Sequence, residues 1–240
     1  MKLSVALPLY NAKNIAWLAM ESLCRQKDID FEWELVIMEE QNGKEFGYKE
    51  AIKYSDRLKE VNCSSFKYIS LEEWVPLGDK WQMIAEECQG EIFMLQAGDC
   101  YSQPYRIKET YELMKDCDWL QSKYGIFYDL KLKKEILFNH TLYNHPCGLN
   151  MATLTKYAVK LPRDGVKICV DSWFKAQVTR MNPQHISKWN TSDNWMLGFD
   201  SNGQNNLSQR AKYFNNPTAP FTETRLRIKD FIPYDIFNRL

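Results

Sequence analysis

Asp99 stands at a point in the sequence where binding sites commonly form. It follows the apolar segment from Ile92 to Ala97, and the glycines that flank this segment, Gly90 and Gly98, favour a short buried strand ending in a polar turn. In open α/β sheets, ligands bind beyond the carboxyl ends of the strands. Asp99 is therefore a candidate ligand-binding residue, with the alternative that it caps the helix predicted to begin near Pro104.

The first hundred residues contain the elements that would position Asp99. Apolar strand patterns occupy residues 3–9, 34–38, 66–70 and 91–96, and helical patterns lie between them at 14–26, 45–60 and 80–88. The second strand ends in the acidic pair Glu39 and Glu40. A β-α-β-α-β-α-β order predicts an α/β fold with a mainly parallel sheet flanked by helices.

The second half of the chain is predicted to contain a mixture of helices, strands and irregular loops. Helices are expected at 105–115, 152–159 and 170–179, and residues 119–138 are expected to form a hairpin with its turn at 129–134. Residues 190–216 are rich in Asn, Ser and Gly, which is typical of an irregular loop. Residues 223–240 predict a C-terminal docking helix broken at Pro233. We expect one domain over 1–240, in which 1–110 and 111–222 form two halves ahead of that helix.

Composition narrows the class of protein. A hydrophobic content of 45% over 240 residues is enough for one sizeable core. No apolar run reaches the roughly 18 residues that a bilayer-spanning helix needs. The seven cysteines are scattered and never form a Cys-x-x-Cys pair, which favours neither a disulfide framework nor a zinc site. We therefore expect a cytoplasmic protein with no transmembrane segment.

The zero net charge conceals an uneven distribution. Residues 1–120 contain 14 Lys or Arg and 22 Asp or Glu side chains, whereas residues 121–240 contain 17 and 9. A basic half beside a cleft would attract an anionic partner such as a diphosphate, a phospholipid head group or nucleic acid. A solvated charged surface is the more frequent explanation of such a pattern.

Three segments together resemble one family. They are LSVALPLYNAKNIAWLAMESLCRQ near the start, LVIMEEQNG at the second strand, and PLGDKWQMIAEECQGEIFMLQAGDCYSQPYRI around Asp99. In order and spacing, over residues 1–110, they are similar to family 2 glycosyltransferases of the GT-A (Rossmann-like) fold, with a mixed acceptor-side second half. The resemblance implies a hexosyltransferase-like enzyme that moves a sugar from a nucleotide-diphosphate sugar to an acceptor hydroxyl, with inversion.

The resemblance also implies a donor site. The end of the first strand and the acidic pair of the second would hold the base and ribose, and Lys80 would meet a phosphate or the base, unless it is simply a solvated charge on a helix. The residues implied to bind the donor nucleotide are Pro8, Tyr10, Asn11, Glu39, Glu40, Lys80, Gln96 and Ala97.

A divalent cation is implied beside the donor diphosphate. In the family, the strand before Asp99 ends in Asp-x-Asp, whereas the same places here read Gln96-Ala97-Gly98-Asp99. Asp99 alone could still hold Mn²⁺ or Mg²⁺ if substrate phosphates and the Gln96 amide oxygen complete the shell. His185 is the second implied metal ligand, because related enzymes recruit a histidine from the C-terminal half; an isolated histidine is the alternative.

The catalytic base implied by the resemblance is Asp171, within Cys169-Val170-Asp171-Ser172-Trp173-Phe174. The transfer needs a carboxylate that takes the proton of the acceptor hydroxyl as it attacks. The alternative is that Asp171 only caps a helix. Acceptor-side residues implied by the resemblance are Cys147, Gly148 and Trp173.

Two other functions stay open at this point. The altered Asp-x-Asp segment is compatible with a nucleotide-sugar-binding module that has no transfer activity. The basic second half would suit an anionic acceptor, including a modified nucleic-acid base. Because no basic motif interleaved with aromatic residues is present to stack bases, a glycan or glycolipid acceptor is favoured over nucleic acid.

Overall fold

Strands and helices alternate along the first half of the chain, as the sequence predicts. The computed structural model describes residues 2–130, 133–139, 151–191, 196–200, 221–223 and 227–240. The first elements are β1 (Leu3–Leu9), α1 (Ala16–Leu23), β2 (Trp33–Glu40), α2 (Tyr48–Ala51), α3 (Ser55–Lys59), β3 (Cys63–Leu71), α4 (Leu77–Glu87) and β4 (Ile92–Leu95). The helix predicted over 45–60 is thus two short helices, joined by a 3₁₀ turn at Ile52–Tyr54.

The remaining described elements mix strands and helices. They are β5 (Cys100–Ser102), α5 (Arg106–Met114), β6 (Trp119–Ser122), β7 (Tyr124–Asp129), β8 (Lys134–Asn139), β9 (Met151–Leu154), α6 (Thr155–Ala158), α7 (Val170–Met181), β10 (Ser187–Asn190), β11 (Met196–Asp200), β12 (Phe221–Glu223) and α8 (Tyr234–Phe237). None of the helices in the described part of the chain is long and apolar enough to cross a membrane.

Seven of the described strands form one sheet, in the order β10-β6-β9-β4-β1-β2-β3. β1 pairs in parallel with both β2 and β4, and β2 pairs in parallel with β3. Among these seven strands, β9 runs against its neighbours β4 and β6. The mainly parallel sheet flanked by helices that the sequence predicts is confirmed.

Five other described strands form a second sheet, in the order β12-β8-β7-β11-β5. Within it, β7 and β8 form the predicted hairpin, with Asp129 opposite Lys134 beside the turn. β11 pairs with β5, which places Leu197 opposite Tyr101. The Phe199 N–H also donates to the Asp99 carbonyl at 3.2 Å. The second sheet is therefore tied directly to the turn that carries Asp99.

The two faces of the seven-stranded sheet bury different partners, because successive side chains of a strand point to opposite faces. On one face, Val5 and Ile37 pack with α1 and with residues of the second sheet. On the other face, Phe93 packs with α4, α6 and α7. Phe174 of α7 is fully buried there, with its ring centre 6.1 Å from that of Phe93 and 5.6 Å from that of Trp119.

Two predicted helices are wrong in part. Residues 152–159 begin as the strand β9, in which Ala152 pairs with Met94 on one side and Leu120 on the other. Sheet pairing on both sides overrides the local helical pattern, so that only Thr155–Ala158 are helical. The described part of 223–240 is not one docking helix either: it contains a 3₁₀ turn at Ile228–Asp230 and the short α8.

Candidate functional site

The carboxyl ends of β1, β2 and β4 meet at one edge of the seven-stranded sheet, called here the carboxyl edge. Leu9 at the end of β1 lies opposite Glu39 near the end of β2, and Ala6 lies opposite Leu95 at the end of β4. The polar segments at these ends therefore lie side by side. They carry Tyr10 and Asn11, the acidic pair, and the turn from Gln96 to Asp99.

Glu39 is held by three internal donors. It is fully buried, and one carboxylate oxygen accepts the N–H of Phe46 at 2.8 Å. The other oxygen accepts the Gly47 N–H at 3.0 Å and the Tyr68 hydroxyl at 2.8 Å. Burial, together with the hydrogen bond to Glu39, raises the pKa of Tyr68 and keeps the phenol a donor. Glu39 therefore fixes the loop after β2, and a direct contact with a ribose would require these bonds to break.

Glu40 and Lys80 form a buried ion pair at the same edge. The Lys80 ammonium lies 2.5 Å from a Glu40 carboxylate oxygen and 2.8 Å from the Leu9 carbonyl. Both side chains are 2% exposed, and the Val75 N–H donates to the second Glu40 oxygen at 3.2 Å. Burial lowers the pKa of Lys80, and Glu40 partly opposes this effect. Lys80 is not a solvated charge: it joins the ends of β1 and β2 to the first turn of α4.

Gln96 is fully buried, and both the oxygen and the nitrogen of its side-chain amide form two hydrogen bonds within the protein. Its Oε1 accepts from the Ser102 hydroxyl at 2.5 Å and from the Arg106 guanidinium at 3.0 Å. Its Nε2 donates to the carbonyls of Ala97 and Cys100, both at 3.0 Å. Because a guanidinium can only donate, the orientation of the amide is fixed. Gln96 therefore holds the turn that presents Asp99.

The other predicted donor residues also lie at the carboxyl edge. Pro8 in β1 and Ala97 after β4 are half-buried. Asn11 adopts a left-handed φ of 50° and accepts a hydrogen bond from the Asn42 amide at 2.8 Å, which links the loop after β1 to the loop after β2. Tyr10 is 39% exposed, and its ring centre lies 5.8 Å from the Lys80 ammonium.

The residues of the Gln96–Asp99 turn do not fit a divalent cation. Such a cation takes several oxygen ligands within about 2.0–2.6 Å, but the Gln96 oxygen is occupied by two donors. A Cβ added at Gly98 would lie 2.4 Å from Leu9 Cδ2, so a ligating side chain there would require the Leu9 side chain to move. Asp99, half-buried, contributes one carboxylate. Among the described residues, no group of three or more His, Cys, Asp or Glu could hold a metal.

The structure does not bring His185 to Asp99. His185 Nδ1 lies 3.0 Å from the Asn182 carbonyl, and the next residue, Ile186, donates its N–H to Asp118 at 3.2 Å. Asp118 precedes β6, so His185 lies at the amino end of that strand, whereas Asp99 follows the carboxyl end of β4, which runs in the same direction. Strands of four residues are about 13 Å long, so the two side chains cannot share one cation.

Helix α7 points its first turn toward the carboxyl edge. Its last turn is held at the opposite edge, where the Asn182 amide lies 3.4 Å from Asp118, and its 12 residues span about 18 Å. The first turn packs on the start of α4, because a Cβ at Gly78 would lie 3.3 Å from the Trp173 ring. Asp171 in this turn is therefore on the α4 side of the sheet, at the edge where β1 and β4 end.

Asp171 does not cap its helix. Cys169 occupies the N-cap position of α7, with a left-handed φ of 52°, and Asp171 is the second helical residue. Its carboxylate accepts the Ser172 N–H at 3.1 Å. A carboxylate in a first turn is stabilised by the helix dipole. Trp173, predicted on the acceptor side, is half-buried against Gly78, and the predicted Cys147 and Gly148 lie outside the described residues.

Sequence reasoning did not single out Arg106 or Lys167. The Lys167 ammonium lies 4.8 Å above the ring centre of Trp74, which is 48% exposed beside the start of α4. Arg106 is 4% exposed and belongs to the buried face of α5 with Ile107 and Met114. A charged residue within the buried face of a helix is the one signal that could have pointed to Arg106.

Comparisons with known proteins identify the fold. No protein-family model and no curated protein matches the chain. S. aureus TarS in complex with UDP-GlcNAc is similar with a TM-score of 0.65 at 17% identity, over 85% of this chain and 60% of that chain. The mannosyltransferase PcManGT from Pyrobaculum calidifontis, in complex with GDP-Man and Mn²⁺, is similar with a TM-score of 0.61 at 10% identity, over 88% and 59%.

This chain therefore spans about 60% of the length of those two proteins, and 38% of a longer TarS chain. What it shares with them at these identities is the fold. The mixed α/β architecture, with its mainly parallel sheet flanked by helices, is that of solved glycosyltransferase structures.

Proposed function

We propose that the chain is a glycosyltransferase that moves a sugar from a nucleotide-diphosphate sugar to an acceptor hydroxyl. The observation that carries the proposal is the placement of Asp171. The first turn of α7 stands at the carboxyl edge, beside the start of α4. Similarity to structures that hold UDP-GlcNAc and GDP-Man supports a nucleotide sugar as the donor.

The donor would bind over the ends of β1 and β4. The exposed ring of Tyr10 offers a face for the base, and Trp74 with Lys167 offers a second aromatic face beside a cation. Glu39 and the Glu40–Lys80 pair lie beneath these residues and keep the loops in place. In this proposal the acidic pair builds the donor pocket without touching the ribose, which revises the role that the resemblance implies.

Asp171 would act as the general base. As the acceptor oxygen forms its bond to the anomeric carbon, the bond from that carbon to the diphosphate oxygen breaks, and the nucleoside diphosphate leaves with the electron pair. The acceptor proton passes to the Asp171 carboxylate. Attack on the face opposite the leaving group inverts the anomeric centre.

Asp171→Asn tests this mechanism. Turnover should fall by about 10² or more, because general-base assistance is lost, while donor affinity measured by calorimetry stays nearly the same. Asp164→Asn is the matched control, since Asp164 is an exposed aspartate in the loop before α7. Retained turnover in the Asp171→Asn variant would remove this carboxylate from the mechanism.

A binding module without transfer activity gives a different result in the same experiments. Such a module would bind UDP, GDP or dTDP but would release no sugar from the corresponding donors, even slowly.

We propose a glycan or glycolipid acceptor. The basic second half, which raised the alternative of nucleic acid, includes five cations between residues 206 and 229: Arg210, Lys212 and Arg225 lie outside the described residues, Arg227 pairs with Glu135 at 3.2 Å, and Lys229 is exposed. A gel-shift titration with DNA at low salt tests the nucleic-acid alternative directly.

A further inference from the structure

A cavity of about 550 Å³ lies at the end of α1, called here the α1 cavity. It is lined by residues 25–27, by Tyr101 and Pro104, and by residues 230–233. Small-molecule sites have volumes of about 300–1,000 Å³. Because β1 and β2 run in parallel, α1 carries the chain back from the carboxyl edge over about 12 Å. The α1 cavity is therefore separate from the candidate donor site.

Hydrogen bonds hold one wall of the α1 cavity in place. The Lys27 N–H donates to the Pro104 carbonyl at 2.7 Å. The Gln26 amide donates to the Gln103 carbonyl at 2.9 Å and accepts the Ile107 N–H at 3.0 Å. The segment after α1 and the segment after β5 are therefore fixed to each other, so this wall is preformed.

Three hydrogen-bond donors beside the α1 cavity have no acceptor. They are the Tyr101 hydroxyl, the Gln103 amide nitrogen and Arg25 Nε, three of the five buried polar side-chain atoms without a hydrogen-bond partner in the described part of the chain. Arg25 Nε lies 3.5 Å from the Glu21 carboxylate, an ion-pair distance without a hydrogen bond. Because an amide or guanidinium nitrogen can only donate, a ligand that satisfies this cluster must supply acceptor oxygens.

Tyr101 is the buried donor that lines the cavity itself. Its side chain is fully buried. Burial raises the pKa of Tyr101 to about 12, and the charges of Arg25, Asp235 and Glu21 also act on the phenol. Since these charges lie in α1, just after it and in α8, the hydroxyl faces the end of α1. The phenol stays protonated at neutral pH and can donate to a ligand.

The lining of the α1 cavity combines a small positive charge with apolar side chains. It contains Arg25 and Lys27 against Asp230. Arg25 pairs with Asp235 at 2.7 Å, whereas Lys27 is exposed and forms no ion pair within the described part of the chain. Pro104 and residues 231–233 make the remaining lining apolar. A ligand with one negative charge and an apolar body complements both parts.

We propose that the α1 cavity binds a small organic carboxylate, whose oxygens accept from the Tyr101 hydroxyl and face the Lys27 ammonium while its apolar body contacts residues 231–233. A carboxylate has two acceptor oxygens and one charge, whereas a phosphate monoester carries about 1.5–2 negative charges at pH 7. The proposal goes beyond the proposed function and does not depend on it, because the site uses none of the residues at the carboxyl edge.

Calorimetric titration at pH 7 and low salt tests the class of ligand. The probes share one apolar body: 3-phenylpropionate, 3-phenylpropanol, 3-phenylpropylamine and 3-phenylpropyl phosphate. The carboxylate should bind at least about tenfold more tightly than the alcohol or the amine, and more tightly than the phosphate. No binding of the carboxylate at about 10 mM, or equal or tighter binding of another probe, would overturn the proposal.

Competition with nucleotides tests whether the site is separate. Saturating UDP, GDP or dTDP should leave the affinity for 3-phenylpropionate unchanged. Displacement of the carboxylate by any of them would place it at the donor site and overturn the proposal. Failure of all three nucleotides to bind would count against the proposed function alone.

Two variants test the residues of the α1 cavity. Tyr101→Phe removes a hydroxyl that bonds to no protein group, so the unfolding midpoint should not fall, while the affinity for 3-phenylpropionate should weaken about fivefold. Lys27→Met should weaken it about threefold at low salt and less at high salt, because salt screens an exposed charge. Since Lys27 is exposed, this variant keeps its fold even if Tyr101→Phe does not.

The matched controls change exposed side chains outside the α1 cavity. Tyr48→Phe and Lys53→Met should both leave the affinity for 3-phenylpropionate unchanged, since their side chains are exposed on other elements. Unchanged affinity in either cavity variant, or an equal loss in the controls, would overturn the assignment of the carboxylate to Tyr101 and Lys27.

Discussion

Lys80→Met is the sharpest test of how the carboxyl edge is held together. Methionine preserves most of the length and packing of the lysine stem but removes the ammonium. The Glu40 carboxylate, 2% exposed, would then keep the Val75 N–H at 3.2 Å as its remaining donor among the contacts described above. The Leu9 carbonyl would also lose the ammonium donor, which lies at 2.8 Å.

The expected loss of stability is large, because a buried carboxylate is left without its counter-charge. Removing one partner of a buried ion pair destabilises a protein by about 3–5 kcal/mol. Adding Glu40→Gln removes the stranded charge, so the double variant should recover about 2 kcal/mol, with the unpaired Leu9 carbonyl accounting for much of the remainder. The exposed pair of Lys53 and Glu50, 2.6 Å apart, provides the control.

The free energy of unfolding would be measured by urea titration at neutral pH, followed by circular dichroism. Lys53→Met should change it by no more than about 0.5 kcal/mol, because exposed pairs contribute little. A loss below about 1 kcal/mol for Lys80→Met, or a double variant less stable than Lys80→Met alone, would refute the assignment of a buried pair.

Three other predictions concern packing and thiols. Gly90→Ala should destabilise the fold by about 1–3 kcal/mol in the same urea assay, because a Cβ there would lie 2.8 Å from backbone atoms of Lys2 and Leu3; an unchanged midpoint would contradict this contact. Burial raises the pKa of Cys63 to about 12 from 9.0, so the unfolded chain loses the Cys63 proton at lower pH than the folded protein does, and the free energy of unfolding should fall as pH rises above 9. Cys63→Ala should make this fall with pH less steep. An identical dependence on pH in the variant would contradict the prediction. Among the described cysteines, Cys169 is the exposed one, so brief maleimide treatment should label it before buried Cys100 in peptide mass spectrometry, and the reverse order would count against the fold at the start of α7.

Local sequence patterns predicted the frame of the protein. The apolar segments that became β1, β2 and β4, each followed by polar residues, were sufficient to predict a mainly parallel sheet with a candidate site at its carboxyl edge. The position of Asp171 in a first helical turn was also predictable, because the pattern of α7 is visible over 170–179. These features depend on residues that are close together in the chain. The spacing of their apolar side chains indicates which face of a strand or helix is buried.

The partners of the charged residues could not be predicted in this way. Glu40 and Lys80 are separated by 40 positions, and Gln96 and Arg106 by 10, and each pair meets only after strands and helices pack. Likewise, the helical pattern over 152–159 gave way to β9 because β4 and β6 offered backbone partners on both sides.

The sequence by itself determined which residues stand at the ends of the strands, since turn residues and apolar runs are local features. Only the tertiary structure decided which of those residues remain available to a ligand. Four polar residues at strand and helix ends were predicted to bind the donor nucleotide, yet all four are buried and hydrogen-bonded to partners inside the protein: Glu39, Glu40, Lys80 and Gln96. The physical reason is that a polar group removed from water must be satisfied inside the protein, and its partners come from elements distant in sequence.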